Sequence, residues 1–271
     1  MAKKKIGIYG VLESTANNKV EDLYLVVDES AIAFSVKNTN TNTYQCFEYF
    51  VNDPENIGWN QLVAYLQNNS KLIQNTYNNI YFVMNNSSYI VTKKYSIADH
   101  LLYKNELSLL HEVSPEEEVQ LAPLANDKML VYSIPDHLNT LLTRSFPTGK
   151  WHHYTEYLLH HPKDGVNVTM FNNNFCVVIH QEGHLKLINH FKVGGDDQNT
   201  YTLLNTCTNA GIVPNVFSLT IAGFDAEQLN WIKTLQRYFA DTTILMAPSE
   251  GIGTNLNKEF PHHTYAPYFI F

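Results

Sequence analysis

The sequence predicts an α/β protein with mixed sheets, built as two similar lobes. The order of apolar runs repeats, each half reading strand, strand, strand, helix, strand, helix, strand, with an extra inserted segment in the first. This repeat lies in the order of elements and not in matching residues, which is the mark of a duplicated domain. Three meandering strands before the first helix also argue against a doubly wound nucleotide fold, where strand and helix alternate from the start. Finally, 44% of the 271 residues are hydrophobic, enough for a core in each half.

The first lobe is placed at residues 20–147, with its insertion at about 85–127. Leu23-Tyr24-Leu25-Val26-Val27 reads as a buried strand and Asp28-Glu29-Ser30 as a turn. Ala31 to Val36 and Thr43 to Val51 are β-branched and aromatic runs separated by the polar loop Asn38 to Asn42. A helix follows near residues 59–73, where Trp59, Leu62, Val63 and Leu66 fall at i, i+3, i+4 and i+7. Ile80 to Met84 is a further strand. Ser96-Ile97-Ala98-Asp99 resembles a capping box, and Glu116-Glu117-Glu118 reads as a solvated face. Met129 to Ile134 is a strand, Pro135-Asp136 starts a helix stopped by Pro147, and Trp151 to His161 reads as helical.

The second lobe is placed at residues 165–246. Val166 to Phe171, Phe175 to Gln181 and His184 to Val193 are strands, with Glu182-Gly183 as a two-residue hairpin turn. Gly194-Gly195 leads to Asp196-Asp197 as the cap of a helix ending at Gly211. Val216 to Ile221 is a strand, Asp225 caps a helix with Gln228 at the capping-box position, and Thr242 to Met246 is the last strand. Residues 247–271 form a tail. Its Tyr265-Ala266-Pro267-Tyr268-Phe269-Ile270-Phe271 is too aromatic to stay in water and is expected to tuck into the fold as a strand or latch.

Composition narrows the function classes. Eighteen basic and 26 acidic residues give a formal charge of −8, which disfavours a nucleic-acid interface. The one basic run, Lys3-Lys4-Lys5, sits at an end expected to fray. Three widely spaced cysteines, Cys46, Cys176 and Cys207, read as buried small hydrophobes in a reducing compartment. No run reaches the ~20 apolar residues of a membrane span, and none suits a signal peptide, so a cytoplasmic protein is expected. Recurrent Asn-Asn pairs, such as Asn78-Asn79 and Asn85-Asn86, read as surface drift.

A duplicated lobe of this strand and helix order resembles the actin-like ATPase superfamily, a ribonuclease-H-like plan. The features that carry the likeness are Leu25-Val26-Val27-Asp28-Glu29-Ser30, Asn172-Asn173-Asn174-Phe175 with Ile188-Asn189-His190-Phe191, and Leu219-Thr220-Ile221-Ala222-Gly223-Phe224. Within that superfamily the chain is similar to a bacterial family of unknown function, and more distantly to pilus-assembly scaffolds. The resemblance implies nucleotide-cleft positions at Asp28, Ser30, Asn172, Asn174 and Gly223. Active members cradle phosphates with Asp-x-Gly turns, because backbone N–H groups approach closely and aspartate manages Mg²⁺. Here the first turn keeps the Asp and lacks the glycine, and the second has neither. Only Gly223 remains of the paired glycines expected around adenosine. ATP hydrolysis is therefore not expected, nor is a bound cofactor. The expected function is binding of a protein partner, as a scaffold or regulator; the alternative is a divergent ATP-binding or ATP-hydrolysing member.

Other chemistries find little support. His153, Glu156 and His160 would share a helical face, but no His-Glu-x-x-His or Cys-x-x-Cys spacing exists, so no metal site is expected. No Gly-x-Ser-x-Gly elbow appears, and Asp28 alone does not make a nuclease carboxylate cluster. Gly194-Gly195 reads as a plain turn and Gly251-x-Gly253 as a loop.

Overall fold

The fold is described from a computed structural model, over residues 3–10, 12, 20–28, 30–51, 59–95, 100–160, 163–248 and 260–271. Glu29, the capping box read at Ser96–Asp99 and the Gly251-x-Gly253 pair lie outside the described residues. The chain divides between Tyr157 and Leu158 into two compact units.

The first unit begins with β1 (Lys3–Tyr9), β2 (Glu21–Asp28), β3 (Ala31–Asn38) and β4 (Thr43–Val51), then α1 (Trp59–Asn69) and β5 (Ile80–Asn85). An inserted piece follows: β6 (Tyr89–Lys93), α2 (His100–Leu110), β7 (Glu117–Leu124) and β8 (Lys128–Pro135). The unit closes with α3 (Asp136–Ser145) and β9 (Lys150–His153), and the division falls within α4 (Tyr154–His160). Its main sheet has the order β1-β4-β3-β2-β5-β9, and β6-β8-β7 form a separate small sheet. Tyr103 and Leu107 of α2 pack on Met129 and Val131 of that small sheet.

The second unit contains β10 (Gly165–Met170), β11 (Asn174–Gln181), β12 (His184–Lys192), α5 (Asp196–Asn209), β13 (Ser218–Ala222), α6 (Leu229–Leu235) and β14 (Asp241–Ile244). Its sheet runs β12-β11-β10-β13-β14. With β1 set aside, the first sheet has the same order element for element. In both, the first three strands are antiparallel and the last two join in parallel. The core of the second unit gathers Val166, Val168, Phe175, Val177 and Ile179 of the sheet with Leu203 and Cys207 of α5 and Trp231 of α6.

Local chemistry explains most boundaries. Leu62, Val63 and Leu66 of α1 are buried as their spacing requires; the side chain of Trp59 is not among those described. Glu182 (φ 54°) and Gly183 (φ 72°) make the hairpin turn, which needs two left-handed residues. Asp225 and Gln228 form a reciprocal capping box ahead of α6.

Four readings change. Lys3-Lys4-Lys5 is not frayed: it opens β1, which pairs antiparallel with β4. Trp151-His152-His153 is strand, not helix, because β5 takes Lys150 to His153 as a parallel neighbour and Phe82 packs on Trp151 at 5.0 Å. Tertiary pairing overrides a pattern that continues helically into α4. Met129 to Ile134 belongs to the inserted sheet and not to the main one. At α5, the cap is Gly195, and Asp196 and Asp197 fill the first turn instead.

In the tail, the described residues from Phe260 onward fold as α7 (His262–Tyr265) and a 3₁₀ turn, Ala266–Phe269. It is a latch and not a strand. Ala247 N donates to His262 O (2.9 Å), Gly223 N to His263 O (2.9 Å), and Tyr268 and Phe269 are buried.

Candidate functional site

Ligands of parallel α/β sheets settle outside the carboxyl ends of the strands, so those ends are the first place to look in each unit. The two ladders can be matched by counting. Val27 pairs with Ile32, and Met170 pairs with Phe175, with four residues in each turn between them. Asp28 therefore corresponds to Phe171, and Ser30 to Asn173. Across the parallel pairing, Asp28 lies opposite Asn85, whose counterpart in the second unit is Phe224.

In the first unit this end is polar and buried. Asp28 is 1% exposed, Ser30 is buried beside it, and Asn85 is 0% exposed. As in-register neighbours, Asp28 and Asn85 project from the same face of the sheet. One strand further on, His153 ends β9. Its Nδ1 accepts from Thr155 N (3.2 Å), and its Nε2 lies 3.3 Å from both the carbonyl and the side-chain oxygen of Asn86. The ring is flanked by Tyr89 at 4.8 Å and Tyr132 at 5.1 Å. Glu156 accepts from His153 N (2.6 Å) and meets His152 Nδ1 at 3.0 Å, while burial pushes the Tyr132 phenol far up. Thr155 Oγ1 is buried with no hydrogen-bond partner among the described residues.

In the second unit the same end is apolar and covered. Asn172 and Asn173 are exposed at the turn, and Asn174 is buried with its Oδ1 lacking a hydrogen-bond partner among the described residues. Phe171 meets Tyr268 of the tail at 6.1 Å, and Phe224 meets His263 at 4.7 Å. Gly223 (φ 85°) is a glycine for a local reason: a Cβ there would strike the carbonyl oxygen of Met170 and the ring of Pro267. The structure thus brings Asp28 and Ser30 together in one unit, and Asn172, Asn174 and Gly223 to one end of the other.

Sequence reasoning missed Asn85 and weighed His153 and Glu156 only as metal ligands on a helix. Asn85 sits in an Asn-Asn pair that reads as drift, although its place directly after the apolar run Ile80 to Met84 marks a strand end. His153, Glu156 and His160 do not form the helical face expected, because His153 belongs to β9. Among the described residues, no group of three or more His, Cys, Asp or Glu could hold a metal ion. The cysteines are buried and free, with Cys46 and Cys207 pushed up to about 11 by burial, which leaves them as thiols and poor nucleophiles.

The family of proteins of unknown function called DUF3822 matches residues 13–242. The chain belongs to this family. Among curated proteins none matches in sequence. Solved structures do. A Bacteroides thetaiotaomicron protein with an actin-like ATPase fold and unknown function is similar with a TM-score of 0.75, at 13% identity, covering 87% of this chain and 94% of that one. The PilM-PilN type IV pilus biogenesis complex gives 0.58 at 12% identity, covering 93% and 96%. Ethanolamine utilization protein EutJ from Carboxydothermus hydrogenoformans gives 0.50 at 6% identity, covering 97% and 91%. The DUF3822 chain therefore has the actin-like ATPase fold, the fold expected from its element order. No helix among its described residues is long and apolar enough to cross a membrane.

Proposed function

We propose that this DUF3822 protein works by binding a protein partner, as a scaffold or regulator, and does not turn over ATP. The observation that carries the proposal is the state of the second unit's strand ends. Where a nucleotide-binding turn would present an acid and a glycine, this chain has Phe171 and three asparagines, and its own tail lies on Gly223 and Phe224. Catalysis of phosphoryl transfer needs positioning groups, metal ligands and phosphate cradle together, and of the expected cleft positions Asp28, Ser30, Asn172, Asn174 and Gly223 only Asp28 offers a metal-binding acid. A protein of this fold is found with a partner in the PilM-PilN complex, which supports the binding reading. Residence in the cytoplasm is part of the proposal, supported by three free, buried cysteines.

The alternative of a divergent ATP-binding protein draws on one observation, the buried pair Asp28 and Asn85. Thermal denaturation with millimolar Mg-ATP separates the two, since a ligand at 100 times its Kd stabilises by about 2.7 kcal/mol. We expect no shift in Tm and no phosphate release above that of Asp28→Ala. A shift that Asp28→Ala abolishes would establish nucleotide binding and overturn the first reading.

A further inference from the structure

The hairpin edges of the two sheets differ. In the first unit β4 is covered by β1, and its Glu48 is 0% exposed. Glu48 takes hydrogen bonds from Lys4, Tyr9 and Ser70, and from Lys71 N at 3.1 Å. In the second unit the equivalent strand is β12, which among the described residues pairs with β11 alone. Counted along the ladders, Glu48 corresponds to Asn189, which is exposed, and buried Phe50 corresponds to half-buried Phe191.

Backbone geometry makes β12 able to accept a strand. Val193 N donates to Asn173 O at 3.0 Å, so the alternation of an antiparallel ladder turns the N–H groups of Ile188, His190 and Lys192 away from β11, and that of His190 donates to Asn189 Oδ1 at 2.9 Å. Leu185, Leu187, Ile188 and Phe191 are only half-buried. The strand also carries a sign. Within His184–Lys192 there are two lysines, Lys186 and Lys192, and no acid, in a chain of net charge −8; Glu182 is confined to the turn. Two copies of β12 would set lysine against lysine, which works against self-pairing. In the first unit the covering strand is basic and the covered strand bears the acid. In the second the edge strand itself, β12, is basic.

We infer that the outer edge of β12 is a docking strand for an extended, acidic segment of a partner protein, which adds to the sheet as β1 does in the first unit. This rests on the partner-binding reading and names the surface that reading lacks.

Fluorescence polarisation with the full chain tests it, using two labelled nine-residue probes: one alternating glutamate with valine, the other alternating lysine with valine. The glutamate probe should bind at least tenfold more tightly. Ile188→Pro removes an outward donor without touching the bonds to β11, and should weaken that binding at least tenfold. The double change Lys186→Glu with Lys192→Glu should reverse the preference between probes. Equal binding of the probes, no binding of either at millimolar concentration, or a preference that survives the charge reversal overturns the inference. If these variants still cross-link to the same cellular partner as the unaltered chain, the β12 assignment fails and the partner reading stands.

Discussion

Asp28 and Asn85 lie side by side at the carboxyl ends of β2 and β5, and at the matching ladder positions the second unit has Phe171 and Phe224. The edges are reversed in kind: β4 is sealed by β1, whereas β12 pairs, among the described residues, with β11 alone. One framework has therefore been finished in two ways. The first unit closes its edge with a strand and leaves polar groups at its strand ends. The second closes its strand ends with an aromatic tail, and no described strand covers the outer edge of its β12. In a duplicated fold each copy must bury the same framework, but only the sites left over are available for binding, and here they fall in different places.

The largest effect should come from the tail. Removing residues 260–271 strips Phe171, Gly223 and Phe224 of their cover and removes buried Tyr268 and Phe269, each worth roughly 1.5–3 kcal/mol. Urea denaturation should show a loss of at least about 3 kcal/mol. An unchanged midpoint would mean that the second unit does not depend on its tail, and the contrast in closure would collapse. Next comes the paired test Glu48→Ala and Asn189→Ala, at equivalent positions. Glu48→Ala leaves Ser70, Lys71 N and Lys4 without their acceptor and should cost about 2–4 kcal/mol. Asn189→Ala, at an exposed site, should stay within about 0.5 kcal/mol. Similar losses for both would show that β12 is as sealed as β4.

Gly223→Ala sharpens the picture of the strand ends. Its positive φ and the carbonyl of Met170 make a methyl group unwelcome, so a loss of about 2 kcal/mol is expected. A variant as stable as the parent would return Gly223 to the status of a ligand-contact glycine. The last effect, absent at neutral pH and confined to acid, concerns His190, the counterpart of Tyr49. Burial pushes its pKa down to about 4, below the ~6.5 of an unfolded histidine. Between these values the unfolded chain binds the proton and the folded chain does not, so stability falls as pH drops from about 6.5 toward 4. His190→Gln should flatten that decline, measured as urea midpoints at pH 7 and pH 4.5. Parallel curves for the two proteins would show that His190 is not held neutral.

Much of this was legible from residues alone. The hairpin turns at Glu182-Gly183 and the box at Asp225 and Gln228 depend on local chemistry, and local chemistry is written in adjacent residues. The lysines of β1 misled because Glu48, the group that holds Lys4, lies far along the chain. Trp151 to His153 misled because a strand of four residues next to a helix has too few alternations to declare its period, and its partner β5 decides. Asp28 was identifiable through its turn, but Asn85 joins it only through a parallel ladder that spans more than fifty residues. The replacement of that polar pair by Phe171 and Phe224 becomes visible only once the register of both ladders is known.

The order in which the latch is made has a consequence for biosynthesis. When β14 has left the ribosome the second sheet has all five strands, yet the segment that covers Phe171 and Phe224 comes later in the chain. The first unit meets no such delay, since β1 precedes the strand it covers. During translation the second unit therefore passes through a stage with its sheet assembled and an aromatic face bare, a stage in which a chaperone would find its binding surface.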